Sequence, residues 1–379
     1  MSRGVVRHAD LWAAVGLAWL DQYEDARRAI ARSARPGGGR DAMSEHFRAA
    51  ALSCVAVGEG HLADGERWAR GTFAEMDETG DRHHITVFAL CSYGRAVLER
   101  NDLARAEGLL ERAITVTERM VTSPSLIASE LDLAAVWFAQ GRRDEALSLL
   151  VRVREDAGSR LPPLMSDWIH ERQASLLLRS GNLDAAVEAS RRLSDDAAPL
   201  VRAQVLAACG EPDAADALLD AAPVDTPRQA LRVALGRSHA AWMAHRVDEA
   251  KARLVEALEI GGPLGFVRTV IESGPHVRPL LDRIPARSDG YVARLRSAAG
   301  TEATEVSAPH RRTLGDQLSP REREILDYLP TALTIREVAG ELFVSTNTLK
   351  THLSHIYRKL DVRSREGAVA RARVLGLLR

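Results

Sequence analysis

The sequence predicts an all-α protein, an α-solenoid of paired helices followed by a separate four-helix module, and three observations carry that prediction. The first is an internal repeat. A short turn, often with Gly or Asn, is followed by an acidic residue and then a small one: DQYEDA at 21–26, GHLADG at 60–65, NDLARA at 101–106, GRRDEA at 141–146, GNLDAA at 181–186, GEPDAA at 210–215 and HRVDEA at 245–250. Their final positions are 39, 41, 40, 40, 29 and 35 residues apart, the period of helix-pair repeats that bury an apolar face only against their neighbours. The second is composition: 46% hydrophobic but 4% aromatic residues imply an alanine- and leucine-rich core of closely stacked helices. The third is a run of helix-start signals and localised positive charge in the last 62 residues.

Along the chain, Arg3 and Arg7 precede LWAAVGLAWL, which superficially matches a secretory signal. Asp21 follows directly with no small-residue cleavage site, so this run is read as the first helix of the array. No stretch is long enough to span a membrane. The repeats occupy 1–262 and end near Gly261-Gly262-Pro263; residues 263–299 are read as two or three short capping helices, since a solenoid needs a closing unit with a polar outer face. Residues 300–317, GTEATEVSAPHRRTLGDQ, lack apolar periodicity and are read as a linker.

The module spans 318–379. Ser319, Pro320 and Glu322 combine a hydroxyl N-cap, a proline at the first helical position and a reciprocating carboxylate. Thr334 and Glu337 repeat the capping box, Ser345 can cap TNTLKTHLSHIYRKL, and Ser364 can cap REGAVARARVLGLL. In the third helix Leu349, Leu353, Ile356 and Leu360 make one narrow apolar stripe. Opposite it fall Asn347, Thr351, Ser354, His355 and Arg358, with Lys350 on one flank and Thr348 and Lys359 on the other. These side chains are donor-rich and free of carboxylates, which suits base edges and phosphates in a major groove. The chain carries a net −1, yet 318–379 holds eleven Lys or Arg against seven Asp or Glu, a net +4 that leaves −5 upstream. Eight basic and two acidic residues lie in 345–379, the footprint of a polyanion-binding surface.

These residues carry a resemblance. The module resembles the LuxR-type helix-turn-helix domain, and LPTALTIREVAGELFVSTNTLKTHLSHIYRKL looks most like the branch that includes MalT and the large ATP-binding LuxR regulators. The repeats are similar to the tetratricopeptide-like repeats that precede the DNA-binding domain in MalT-like regulators. The resemblance implies a four-helix domain that binds double-stranded DNA as a homodimer on inverted half-sites. Positions matching Lys350, Thr351 and Ser354 would face bases, and those matching Thr348, His355 and neighbours would touch backbone or base. Thr351 and Ser354 are short and uncharged, so the target sequence does not carry over.

Other chemistry finds little support. None of the three lysines, Lys251, Lys350 and Lys359, follows a glycine, so no P-loop is present and the ATPase domain of the large regulators is not expected. Cys54, Cys91 and Cys209 are odd in number and far apart, as reduced thiols in a cytoplasmic protein would be. His83-His84 has no partners at metal-ligand spacing, and no metal, cofactor or catalytic constellation is proposed. The six tryptophans all lie upstream, where groove lining and core packing are both open. The expected function is sequence-specific regulation of transcription, with a small-molecule, peptide or protein effector on the repeats and RNA polymerase as a further partner. A protein-interaction scaffold without specific DNA binding is the alternative.

Overall fold

The computed structural model describes residues 8–33, 42–79, 85–117, 123–158, 161–194, 197–285, 290–306, 320–331, 333–342, 349, 353, 356 and 364–374. The chain divides into two units, Met1–Ala303 and Thr304–Arg379. Among the described residues every regular element is a helix.

The first unit opens with seven antiparallel helix pairs. They are α1 (Ala9–Trp19) with α2 (Tyr23–Ser33), α3 (Ala42–Glu59) with α4 (Leu62–Thr79), α5 (Ile85–Glu99) with α6 (Leu103–Thr117), and α7 (Pro124–Ala139) with α8 (Arg143–Ala157). The series continues with α9 (Pro163–Arg179) and α10 (Leu183–Ser190), α11 (Pro199–Ala208) and α12 (Pro212–Asp220), and α13 (Pro227–Met243) and α14 (Val247–Leu264). The first helix of each pair packs on the first helix of the next. Three further helices follow: α15 (Arg268–Ile271), α16 (Val277–Leu281) and α17 (Tyr291–Val306).

All seven repeat motifs fall on the turn inside a pair, and the structure explains each of their positions. The first motif residue takes a positive φ in every case: Asp21, Gly60, Asn101, Gly141, Gly181, Gly210 and His245. Around it the backbone makes the two reversed bonds of a Schellman stop. In the fifth pair, for example, Asn182 N–H donates to Leu177 O at 3.0 Å and Gly181 N–H to Leu178 O at 3.0 Å. The same two bonds recur in the other six turns, from Gln22 to Leu17 and Asp21 to Ala18 through Arg246 to Ala241 and His245 to Trp242. The acidic residues then lie in the first turn of the second helix, where the helix dipole favours a negative charge. In the third pair Asp102 instead caps α6, accepting from Arg105 N–H at 3.4 Å.

The small final residue is where the paired helices approach. Ala26, Ala106, Ala146, Ala186, Ala215 and Ala250 are all at 0% exposure. At Gly65 the approach is closer still, since a β-carbon there would fall 2.3 Å from Val57 Cγ2. Alanine thus serves packing rather than helix propensity alone, and a larger side chain would force the pair apart.

The array also closes on itself. α13 packs on α3 and α15 on α5. One apolar cluster accordingly joins Val57, Leu62 and Ala96 from the early pairs to Leu231, Leu254, Phe266 and Tyr291 from the end of the unit. Residues 300–306, read from the sequence as the start of a linker, instead continue α17. No proline interrupts GTEATEV, and Ala and Glu sustain the helix. The second unit contains α18 (Pro320–Tyr328), α19 (Ile335–Glu341) and α20 (Arg365–Val374), with Leu349, Leu353 and Ile356 helical between the last two.

Gly210 isolates the backbone requirement of these turns, because its φ is +87° and nothing lies within 4 Å of an added β-carbon. Gly210→Ala should lower stability by about 1 kcal/mol through left-handed strain alone. His245→Gly, at the same place in the seventh turn, should raise it by a similar amount. Urea titration of both variants, followed by loss of helical ellipticity, checks the opposite signs.

Candidate DNA interface and interior cavity

The second unit builds its core from the predicted stripe. Leu349, Leu353 and Ile356 are 1%, 7% and 0% exposed and pack with Ile325 and Leu326 of α18, Leu329 just after it, Val338 and Ala339 of α19, and Ala368 and Ala372 of α20. The capping box at Thr334 and Glu337 forms in both directions. Thr334 donates through its backbone and its hydroxyl, which holds the Glu337 carboxyl below its ordinary range. Ser364 accepts from Gly367 N–H at 3.0 Å, the expected N-cap of α20. The eight proposed DNA contacts, Asn347, Thr348, Lys350, Thr351, Ser354, His355, Arg358 and Lys359, lie outside the described residues, as do Ser319, Ser345 and Leu360.

Arg365 is a residue that sequence reasoning counted only as positive charge. Its guanidinium donates to Leu329 O at 2.9 Å, Leu333 O at 2.8 Å, Tyr328 O at 3.3 Å and Thr331 O at 2.9 Å. It thereby ties the start of α20 to carbonyls at the end of α18 and in the turn that leads to α19.

In the first unit a cavity of about 300 Å³ lies inside the array, bounded by α1, α3, α5, α7, α9, α11 and α13 together with α15. Its polar lining repeats with the period of the pairs. Asp132 of α7, 2% exposed, accepts from Arg95 of α5 at 2.8 Å and from Arg172 of α9 at 2.9 Å. These residues stand 37 and 40 positions apart, about one repeat in each direction. Arg232 of α13 pairs with Glu171 of α9 at 2.5 Å. Burial pulls the Glu171 carboxyl up, but attraction and hydrogen bonding from Arg232, helped by Arg172 and Arg95, outweigh it and hold the group below its ordinary range.

Trp19 and Trp168 also line the cavity, their rings edge-on at 6.3 Å, with Phe88 at 5.6 Å from Trp19. The other four tryptophans are not among the cavity-lining residues; Trp12 and Trp68 are exposed at 44% and 39%. Cys54 and Cys91 are free thiols on the same wall, and burial pushes each up to about 12, so neither is a thiolate near neutrality. Cys209 is free as well. Among the described residues no group of three metal-ligating side chains converges and no helix is long and apolar enough to cross a membrane. His83 and His84 lie outside the described residues.

A clasp centred on Glu99, the last residue of α5, lies in the cavity wall. Its carboxylate accepts from Arg228 Nη1 at 3.0 Å, from Thr269 N–H at 3.1 Å and from the Thr269 hydroxyl at 2.9 Å. Its carbonyl accepts from Val267 N–H at 2.8 Å. Arg228 reaches on to Val57 O at 3.0 Å and lies over the Phe266 ring at 5.0 Å. Arg268 reinforces the contact through Asn101 Oδ1 at 3.1 Å.

Comparison with known proteins then places both units. The model of the MalT-like TPR region matches residues 19–287, well over half of the chain, and that of the bacterial regulatory proteins of the luxR family matches residues 316–372. The probable HTH-type transcriptional regulator GfsR of Streptomyces halstedii is 40% identical over 82 residues, 20% of this chain and 34% of that protein. The probable transcriptional regulatory protein NarL of Mycobacterium tuberculosis (strain CDC 1551 / Oshkosh) is 46% identical over 111 residues, 29% of this chain and 49% of that protein. The chain thus spans half or less of the length of these relatives. Among solved structures, NprR in complex with its cognate peptide NprX aligns over 90% of this chain and 87% of its own, at 11% identity and a TM-score of 0.44.

Two stability outcomes follow from these contacts. Glu99→Ala should cost about 3–5 kcal/mol because it strands a largely buried Arg228, whereas Glu99→Leu combined with Arg228→Met should cost less. Denaturant unfolding of the three proteins gives the comparison. Arg365→Gln should destabilise the second unit by about 1.5–3 kcal/mol through loss of charged hydrogen bonds to carbonyls, read as earlier hydrogen exchange at α18 and α20.

Proposed function

This chain belongs to the family of the MalT-like TPR region, and from that premise we propose that it is a DNA-binding transcriptional regulator whose repeat unit binds an effector. The observation that carries the reading is the luxR-family module with its stripe buried. Leu349, Leu353 and Ile356 enter the core, and on a helical wheel through those three the donor-rich set occupies the remaining face. On this reading Lys350, Thr351 and Ser354 meet bases, while Asn347, Thr348, His355, Arg358 and Lys359 position the helix through backbone and base contacts. The division of labour assigns 1–262 to repeats, 263–299 to capping, the part of 300–317 that follows α17 to connection and 318–379 to DNA.

Several features of the working protein belong to the same proposal. It acts in the cytoplasm, pairs as a homodimer on inverted half-sites and meets RNA polymerase when bound. Its effector, a small molecule, peptide or protein, occupies the repeat unit. A switch requires that this effector prefer one arrangement of the protein over another, since equal affinity shifts nothing.

The test is enrichment of sheared genomic DNA by the full-length chain at two salt concentrations, beside Lys350→Ala and Arg358→Ala. Release of counterions from neutralised phosphates should make the enrichment fall steeply with salt. Lys350→Ala should lose about 1–3 kcal/mol at specific sites, and Arg358→Ala should weaken specific and non-specific binding alike. Wild-type affinity in Lys350→Ala would remove that residue from the recognition surface. Absence of salt-sensitive enrichment, with repeat-dependent protein partners retained, would favour a scaffold.

A further inference from the structure

We propose that the interior cavity is a binding site for a small oxyanion-bearing molecule, a carboxylate or a phosphate ester, held by the guanidinium groups of Arg95, Arg172 and Arg232. The inference deepens, and rests on, the reading of the repeat unit as the effector-binding part. Its basis is a surplus of unengaged donors. Arg95 donates from Nε alone, Arg172 from one terminal nitrogen and Arg232 from one terminal nitrogen, each to a single carboxylate. A guanidinium carries five N–H donors, so most of those on these three side chains have no partner among the described residues. The side chains remain 39%, 27% and 35% accessible although they line an interior space.

The acceptors are in the opposite condition. Both Asp132 oxygens are taken by Arg95 and Arg172, and Glu171 is engaged by Arg232. Glu99 and Glu272 belong to ion pairs with Arg228 and with Arg268 and Arg179. Asp21, which is exposed, accepts from the Tyr23 hydroxyl. A cation entering the cavity would meet carboxylates already neutralised. An oxyanion would meet open, planar donors suited to two parallel hydrogen bonds. The carboxylates also hold the three arginines together at a tolerable mutual repulsion, so the site needs no anion to persist.

Size and wall chemistry narrow the class further. About 300 Å³ lies at the lower end of small-molecule sites. Trp19, Trp168 and Phe88 supply an apolar wall, which favours an oxyanion carried on a ring or short acyl body over a bare inorganic ion.

Isothermal titration of the full-length chain with phenyl phosphate, benzoate and inorganic phosphate, against neutral benzyl alcohol, tests this without any DNA. Saturable binding of phenyl phosphate or benzoate, at least tenfold tighter than benzyl alcohol and inorganic phosphate, is the expected result. The tighter of the two identifies the headgroup. Arg95→Gln should weaken it at least tenfold, and so should Arg232→Gln combined with Glu171→Gln, which removes a whole ion pair and leaves no stranded charge. Arg246→Gln, in an exposed pair with Asp216, should leave it unchanged. Failure of both organic anions to bind, equal binding of benzyl alcohol, or wild-type affinity in both cavity variants would overturn the inference. Because the titration contains no DNA, such a failure leaves the regulator reading standing, and loss of DNA enrichment leaves this one standing.

Discussion

Glu99 holds together what the repeats alone cannot. Each helix pair contacts its neighbours, and such contacts propagate an array without closing it. Closure needs a contact between residues far apart in sequence, and Glu99 makes three of them, to Arg228, Val267 and Thr269, at separations of 129 to 170. Its position explains its reach. As the last residue of α5 it presents a carboxylate and an unpaired helix-end carbonyl together, and the chain entering α15 supplies donors for both. Arg228, at the start of α13, neutralises the carboxylate while its other end satisfies Val57 O on α3. The charge is therefore paired from two sides in a setting where an isolated carboxylate would be costly.

The cavity is lined by helices from both ends of that closed array. Arg95, Asp132 and Arg172 sit on consecutive first helices, and their one-period spacing makes a charge ladder across α5, α7 and α9. The ladder fixes the spacing of these helices from the inside, while alanines fix the spacing within each pair from the other side. Ser53 and Ser92, 39 positions apart and hydrogen-bonded at 2.7 Å, do the same for α3 and α5. Polar contacts between first helices are thus periodic for the same reason as the turns: each pair repeats the placement of the one before.

The turns were legible in the sequence because every part of the motif answers to local physics: a left-handed residue, an acid at a helix start, a small residue at a close approach. The unequal spacing of 29 was legible too, and the structure gives its cause in the short helices α10 and α11, of 8 and 10 residues. The apolar stripe and the Thr334 cap of the second unit were equally local. Arg365 was not, since its partners are backbone carbonyls that no residue type advertises. Nor was the clasp, which depends on how far the array winds, a sum of small rotations between pairs. The cavity arginines could have been found by asking which opposite charges recur at one period within predicted helices. A search for metal-ligand or catalytic spacings passes over them.

The ladder also bears on how a repeat unit could act as a switch. Its three charged groups lie on three successive pairs, so the distance between Arg95 and Arg172 depends on how those pairs are rotated against one another. An occupant held by guanidinium groups from several pairs at once favours the rotation that lets all of them reach it. It discriminates between arrangements only by the bonds it would lose in the others. A few charged hydrogen bonds lost is of the order of the 5.5 kcal/mol needed to move a two-state equilibrium from 1:99 to 99:1. The clasp sets the opposing term, because any rotation that opens the array must break the Glu99 contacts at its far end. The same helix, α5, carries Arg95 on the cavity wall and Glu99 at its end, so both groups move with any rotation of that pair.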